Sequence, residues 1–215
     1  MARQKERVLF KHQPTTIEIF LCIASMPKWS KLLINEQPTK PYIEMLKALV
    51  ERNFYKERNE RLTIKAIATD IKIDSGKVVK WLPMIYEDIY ELNENKPDLF
   101  YDNGIAVRLY MRHYDDTETY RLSLPALPRE HEIFRFYFAK SKVGTDYFWI
   151  ERIEYCVEDD SCEICIWLHG GIANKYRTFL FEKAKFYNSI GFMDAHNMTD
   201  HEIDNELKIF IKNKT

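Results

Sequence analysis

The change in hydrophobic period just after Pro97 is the feature of this sequence that most limits its fold. Before Pro97, apolar residues recur at the three- and four-residue spacing of a helix face. After it, Val, Ile, Tyr and Thr alternate with polar residues, as they do in half-buried strands. We therefore predict an α+β protein, with three helices and a β-hairpin followed by a small antiparallel sheet covered by one or two C-terminal helices.

Length and composition are consistent with two modest folded domains. The 215 residues are 46% apolar, and no low-complexity tract interrupts them. The longest mainly apolar run, 17–26, is about half the length of a membrane-spanning helix, and the basic start lacks the apolar region of a secretory signal. We expect a cytoplasmic protein whose cysteines are reduced thiols.

Charge is distributed unevenly along the chain. Residues 1–96 hold 17 Lys and Arg against 13 Asp and Glu, whereas residues 97–215 hold 15 against 20. The net charges of +4 and −5 place any affinity for phosphate groups in the first part. An ordinary solvated surface would explain so small an excess about equally well.

Three helices are predicted before Pro97. The first begins near Thr39 and Pro41 and runs to about Asn53, the second is capped by Thr63, and the third carries its apolar residues on one face. Residues 1–38 form an N-terminal extension in which 15–24 is either a strand or a buried helix. A hairpin follows, with strands over 105–114 and 119–124 and a polar turn between them. Residues 39–126 therefore form one predicted domain.

A second predicted domain covers residues 129–215. Strands are expected over 133–139, 147–157 and 162–168. Two helices follow, one capped by Asn174 and ending at Gly191 as its C′ residue, the other opening with a capping-box pattern at Thr199. The predicted inward residues of these helices are Tyr176, Phe179, Leu180, Ala184, Tyr187, Ile203, Leu207, Phe210 and Ile211. We predict a sensing or dimerising domain.

The segment from Leu62 to Leu82 resembles the helix-turn-helix of bacterial winged-helix regulators. Ala68 is the small residue that lets two helices approach, and the apolar residues at the matching offsets are Ile67, Ile71, Ile73, Val78 and Leu82. The resemblance covers about 85 residues, because a two-stranded hairpin follows the third helix as a wing would. It implies that the third helix enters the major groove of DNA.

The same resemblance assigns the DNA-contacting residues. On and around the third helix they are Lys65, Ser75, Gly76, Lys77, Val79 and Lys80. Ser75 would meet a base or a phosphate, and the lysines would meet phosphate oxygens or guanine acceptors. The stem of the hairpin would add Arg108, Arg112 and Arg121.

Three positions depart from the family pattern. Lys72 stands where the family usually has glycine, so we expect a strained backbone or a different turn there. Pro83 should kink or break the third helix. The wing tip is acidic, with Asp115 and Asp116, and phosphates would repel it. Either the stem arginines make the wing's contact, or the domain has exchanged DNA for another partner.

Other chemistries have weaker support in the sequence. Cys156, Cys162, Cys165 and His169 resemble a zinc set by residue type, but Cys162 and Cys165 should point to opposite faces of a strand, so we predict no metal and no cofactor. The glycine pair at 170 and 171 lacks a phosphate-binding signature. No histidine lies in a nucleophile motif, so we predict no enzyme.

We therefore predict sequence-specific binding of double-stranded DNA by a homodimeric transcriptional regulator. One alternative is a replication-initiator or mobile-element protein that binds repeated sites with the same fold. Another is a protein-interaction or structural module that reuses the winged helix, since fold alone does not determine function. A small-molecule ligand of the second domain stays open.

Overall fold

The computed structural model describes residues 11–52, 54–57, 62–158, 161–191, 198 and 200–214. The chain divides into two compact units, Met1–Gly171 and Ile172–Thr215. The sequence pattern instead placed a boundary between residues 126 and 129. The units divide later because strands from both sides of that boundary pair with each other, as described below.

Three helices open the first unit: α1 (Thr16–Ser25), α2 (Pro27–Glu36) and α3 (Ile43–Arg52). Residues 16–24 are therefore helical, which decides between the two alternatives for 15–24 in favour of the helix. The Thr15 hydroxyl caps α1 by accepting the Glu18 N–H at 3.2 Å. Phe20, Cys22 and Ile23 on this helix are fully or almost fully buried, so α1 belongs to the core.

The next helices are a short 3-10 turn (Phe54–Glu57), α4 (Ile64–Asp70) and α5 (Ser75–Asn95). The Thr63 hydroxyl accepts the Ala66 N–H, which confirms the predicted cap of α4. The start predicted near Thr39 is wrong, because α3 begins at Ile43. A break of the helix was one of the two outcomes predicted at Pro83, and it does not occur. The helix α5 is continuous through Pro83 and is 21 residues long in all. Apolar packing on both sides of Pro83 holds the helix together.

The strands β1 (Ile105–His113), β2 (Asp116–Leu124), β3 (Ile133–Arg135), β4 (Tyr147–Glu158) and β5 (Ser161–Gly170) form one sheet in the described part of the chain. Their order is β2-β1-β5-β4-β3, with β1 and β5 parallel and every other pair antiparallel. The α+β class is confirmed. The separate antiparallel sheet is not, since β5 pairs with the hairpin strand β1.

Helical turns complete the first unit: 3-10 turns at Pro97–Phe100 and Tyr137–Ala139, and α6 (Lys140–Val143). The 3-10 turn at Tyr137–Ala139 replaces the second half of the strand predicted over 133–139. Phe138 and Ala139 are fully buried there, so apolar residues that looked like a strand serve a buried turn instead.

Strand alternation gives the sheet two different faces. The inner face carries Val107, Leu109 and Met111 of β1 into the core that α1 and α5 also line. The outer face carries the alternate residues, including Arg108, Tyr110 and Arg112, and it is turned away from α5. Each side chain of β1 therefore lies either on the inner face, toward the helices, or on the outer face of the sheet.

The second unit contains α7 (Lys175–Phe186) and α8 (Asp200–Lys214), which pack against each other. Asn174 caps α7 by accepting the Arg177 N–H at 3.0 Å, as predicted. Asn188, not Gly191, takes the left-handed position after α7, with φ 54°, and the next N–H bonds back to Ala184. The capping box predicted at Thr199 lies outside the described residues.

The core of this unit is smaller than the sequence pattern predicted. Its buried residues are Leu180, Ala184, Ile190, Ile203, Leu207 and Phe210. Tyr176, Phe179, Tyr187 and Ile211 were predicted to face inward but are exposed. Two helices contact each other along one narrow stripe, so the wider apolar surface of α7 has no place in that contact.

None of the helices in the described part of the chain is long and apolar enough to cross a bilayer.

Candidate functional site

The turn between α4 and α5 has a defined geometry. Lys72 adopts a left-handed conformation with φ 56°, so the strained backbone occurs, which was one of the two outcomes predicted for a lysine at this position. The Ile73 N–H donates to the Ala68 carbonyl at 2.9 Å, and the Lys72 N–H donates to the Thr69 carbonyl at 3.2 Å. These two bonds form a Schellman motif, which ends α4 and redirects the chain within four residues.

Asp74 begins α5. Its carboxylate accepts the N–H groups of Gly76 and Lys77 at 2.9 and 3.2 Å. The Gly76 N–H is therefore occupied by the cap, although the residue itself is exposed. The helix start is consequently rigid, and its side chains are presented from a fixed backbone.

The first two turns of α5 present most of the predicted contact residues together. Ser75, Lys77, Val79 and Lys80 are exposed there, and Val78 and Leu82 on the opposite side of the helix are fully buried. Lys65 is exposed on α4. Lys77 lies with its Nζ 5.8 Å from the centre of the Trp81 ring, so the aromatic residue supports one lysine of this surface.

The second half of α5 is bound to the inner face of the sheet and to the 3-10 turn at Phe138. The Tyr86 hydroxyl donates to the Phe138 carbonyl at 2.8 Å, and the Tyr90 hydroxyl donates to Glu118 at 2.5 Å. Burial raises the pKa of both hydroxyls, so each stays protonated and able to donate. The exposed first half therefore extends from a firmly attached second half.

Asn93 completes this attachment at the edge of the sheet. Its amide Nδ2 donates to the Arg121 carbonyl at 2.7 Å, and its Oδ1 accepts the Arg121 N–H at 2.9 Å. The buried side chain thus satisfies the peptide groups that β2, an edge strand, would otherwise leave unpaired.

The three predicted stem arginines, Arg108, Arg112 and Arg121, lie together on the outer face of the sheet. Arg108 and Arg121 are directly opposite each other across β1 and β2, and Arg112 lies four residues further along β1. The structure therefore separates the predicted contacts into two groups. Those on α4 and α5 lie on the helical side of the sheet, and the arginines lie on the other.

The tip of the hairpin is tied to the rest of the first unit. Only Tyr114 and Asp115 connect β1 to β2, a shorter turn than the four residues predicted, and Tyr114 has φ 53°. The Asp116 carboxylate accepts the His12 N–H at 2.8 Å. The imidazole of His113 is 2.9 Å from the Val143 carbonyl. The acidic tip thus has a structural role.

The cysteines all carry free thiols. Cys156 and Cys165 lie with their sulfur atoms 3.9 Å apart, and burial raises the pKa of Cys165 to about 11. Cys162 lies three residues before Cys165 on β5, so the two occupy opposite faces, as predicted. Among the described residues no group of three or more His, Cys, Asp or Glu side chains is placed to hold a metal ion.

A packing requirement explains Gly170. A Cβ atom at this position would lie 2.4 Å from the ring of His113, so no larger residue fits without displacing that histidine. The neighbouring Gly171 has φ 96°, a conformation that favours glycine. The glycine pair is thus accounted for by close approach and backbone conformation.

Sequence reasoning missed two aromatic residues on the outer face, Tyr110 and Trp167. Their rings stack with centres 4.4 Å apart and planes 13° apart. Two-residue alternation alone places Tyr110 on the same face as Arg108 and Arg112. Trp167 joins them only because β5 pairs with β1, and no local pattern shows that pairing.

No family model, curated protein or solved structure matches this chain.

Proposed function

We propose that this protein binds double-stranded DNA in a sequence-specific manner, reading the major groove with the first two turns of α5. The observation that carries the proposal is the Schellman turn at Lys72, which joins α4 to α5 in four residues and leaves the start of α5 exposed. Short helices joined by such a turn are the unit that winged helix-turn-helix proteins place in the major groove.

The charge of this surface supports the proposal. Lys65, Lys72, Lys77 and Lys80 are exposed, whereas Asp74 uses its carboxylate as the cap of α5 and Asp70 pairs with Arg52 at 3.1 Å. Lysines near the helix start would contact phosphates, and Ser75 with Lys77 would reach base edges. Val79 would supply an apolar contact to a thymine methyl group.

The wing has a restricted role in this proposal. Because its tip is tied to His12 and its arginines lie on the other side of the sheet, the hairpin supports α5 through the contacts of Tyr86 with Tyr120, of Tyr90 with Glu118 and of Asn93 with Arg121. Duplex contacts come from α4 and α5 instead. A homodimer would place two copies of α5 on a two-fold site.

Two arrangements of target site separate the biological alternatives. A regulator that binds as a symmetric dimer selects an inverted repeat with half-sites about one helical turn apart. A replication-initiator or mobile-element protein selects tandem direct repeats. Selection from a random duplex library by the purified protein, followed by sequencing, gives the arrangement directly.

The test of the surface is the double variant Lys77→Ala with Lys80→Ala. We expect the selected duplex to bind at least tenfold more weakly, measured by fluorescence anisotropy, and the salt dependence of log K to decrease by up to about two units. The control is Lys31→Ala with Lys212→Ala, which removes the same charge from exposed helical positions elsewhere. Equal losses in both variants, or no selected sequence, would contradict the proposal.

A protein partner is the second candidate for the same surface. Val79 and Met84 are 46% and 39% exposed on α5, beside the two lysines, and exposed apolar groups are typical of protein contacts. Replacing both with serine separates the alternatives. Binding to a protein partner would be lost, while DNA affinity would fall by less than it does in the lysine variant.

A further inference from the structure

The outer face of the sheet carries a ladder of planar groups across three strands. Trp167 on β5 stacks on Tyr110 of β1, and on its other side the Arg152 guanidinium carbon lies 4.3 Å from the indole centre. Glu154 accepts the Trp167 Nε1–H at 2.8 Å, and Arg108 donates to the Tyr110 hydroxyl at 2.9 Å. The rings are therefore held in place before any ligand arrives.

The arginines of this face are not fully neutralised. Arg152 pairs with Glu154 at 2.6 Å and Arg108 with Glu163 at 2.7 Å. Arg112 and Arg121 have no ion-pair partner among the residues that the structure describes. Arg121 also lies directly opposite Arg108, and like charges in that position repel each other. An anion bound beside this pair would offset the repulsion.

A second observation indicates an unfilled polar position. The Nε of Arg108 is buried without a hydrogen-bond partner in the described structure, although its Nη atoms bind Tyr110 and Glu163.

The spacing of these groups favours one class of anionic ligand. Arg121 lies opposite Arg108, which is four residues before Arg112 on β1, so Arg121 and Arg112 are about 13 Å apart along the strands at the usual rise of about 3.3 Å per residue. Tyr110 lies between them. Basic groups on both sides of half-buried aromatic rings can hold two phosphates of an extended strand while a base contacts the rings. In a duplex the bases are stacked inside, and an acidic peptide offers no base.

We propose that the outer face of the sheet binds single-stranded nucleic acid, with phosphates at Arg112 and Arg121 and with a base that stacks on Trp167 by displacing the half-exposed Arg152 guanidinium from that ring. This site is separate from the duplex-binding surface of α5 and does not depend on it. A protein with both sites would hold a duplex on one side of its sheet and an unpaired strand on the other.

The first experiment measures binding of the full chain to fluorescein-labelled oligothymidylate by anisotropy. Arg112→Gln with Arg121→Gln should weaken binding about tenfold and reduce the salt slope by about 1.4, the loss of two phosphate contacts to a single strand. The control, Lys31→Gln with Arg129→Gln, removes the same charge from exposed positions off this face and should leave the affinity unchanged. Circular dichroism melting verifies that each variant is folded.

The second experiment uses tryptophan fluorescence to detect a base stacked on Trp167. Stacking of a base on Trp167 should quench tryptophan fluorescence when oligothymidylate is added, and Trp167→Phe should remove most of that quenching. Trp81→Phe, which alters α5 instead, should retain it. Lys77→Ala with Lys80→Ala should leave single-strand binding intact, so failure of the duplex proposal can be distinguished from failure of this one.

Four results would overturn the proposal. The first is that the unaltered chain does not bind oligothymidylate, and the second is that the arginine variant and its control lose affinity equally. The third is that polyglutamate of matched length binds as tightly as oligothymidylate, which would assign this face to an acidic protein partner. Binding of oligothymidylate without any change in Trp167 fluorescence would likewise exclude the base-stacking arrangement.

Discussion

The two halves of α5 are built in opposite ways. Before Pro83, the helix exposes Ser75, Lys77, Val79 and Lys80 and buries only one narrow stripe. After Pro83, Ile85 and Ile89 are fully buried, and three polar side chains bind the sheet or the turn at Phe138. The difference indicates that the first half of α5 presents its side chains to solvent, while the second half anchors the helix and so fixes the position of the first.

The largest loss of stability should come from a substitution in the buried second half of α5. Ile89→Ala removes a fully buried side chain and should lower the free energy of unfolding by about 2–5 kcal/mol. Val79→Ala in the exposed half should change it by no more than about 0.5 kcal/mol. Urea unfolding followed by tryptophan fluorescence measures both. Similar losses in the two variants would show that the halves do not differ as described.

A smaller loss is expected for Asn93→Leu. The substitution leaves the N–H and carbonyl of Arg121 without partners at a buried edge, which should cost about 2–4 kcal/mol. Hydrogen exchange at Arg121 should accelerate in the variant. Asn95→Leu, two residues later and exposed, is the matched control. An unchanged exchange rate at Arg121 would mean that Asn93 does not protect the edge.

Pro83 lies between the two halves of α5, and its replacement should increase the stability of the protein. Pro83→Ala restores an N–H donor inside a continuous helix, so we expect the unfolding free energy to rise by about 1–3 kcal/mol. The same urea measurement applies. A loss of stability, or an unchanged stability with weaker DNA binding, would show that the proline sets the direction of the displayed half.

The smallest change in the free energy of unfolding is expected for a substitution in the turn before α5. Lys72→Gly removes the cost of a left-handed lysine, about 1 kcal/mol, but increases the freedom of the unfolded chain. The net gain should be about 0.5 kcal/mol, with Lys65→Gly in the helix α4 losing about 1 kcal/mol as the contrast. Destabilisation by Lys72→Gly would mean that the lysine side chain itself supports the turn.

Local patterns predicted the helices well where capping residues mark their ends. Thr63 and Asn174 cap α4 and α7 as expected, and the inward positions Val78, Leu82, Ile85 and Ile89 of α5 are buried. A hydroxyl or amide oxygen satisfies N–H groups two or three residues away, so its effect can be identified within one short segment. The strained backbone at Lys72 could be predicted for the same reason, because the sharp turn between two helices lies within one short segment.

The candidate site was only partly predictable. The exposed lysines of α5 follow from helical periodicity, and so does their grouping with Ser75. The side of the sheet on which Arg108, Arg112 and Arg121 lie, and their distance from α5, depends on which face the helix covers. The aromatic ladder depends on Trp167, which lies 57 positions after Tyr110 in the chain but beside it in the sheet.

By itself the sequence determined the α+β class, the hairpin strands, and most helix positions, since hydrophobic period and capping act over a few residues. Only the tertiary structure decided that β5 inserts beside β1, which joins the hairpin to the later strands in one sheet. It also decided that α5 runs through Pro83 and that α1 is a helix. The physical reason is that strand pairing and burial are set by partners distant in the chain, and short apolar segments fit several such partners equally well.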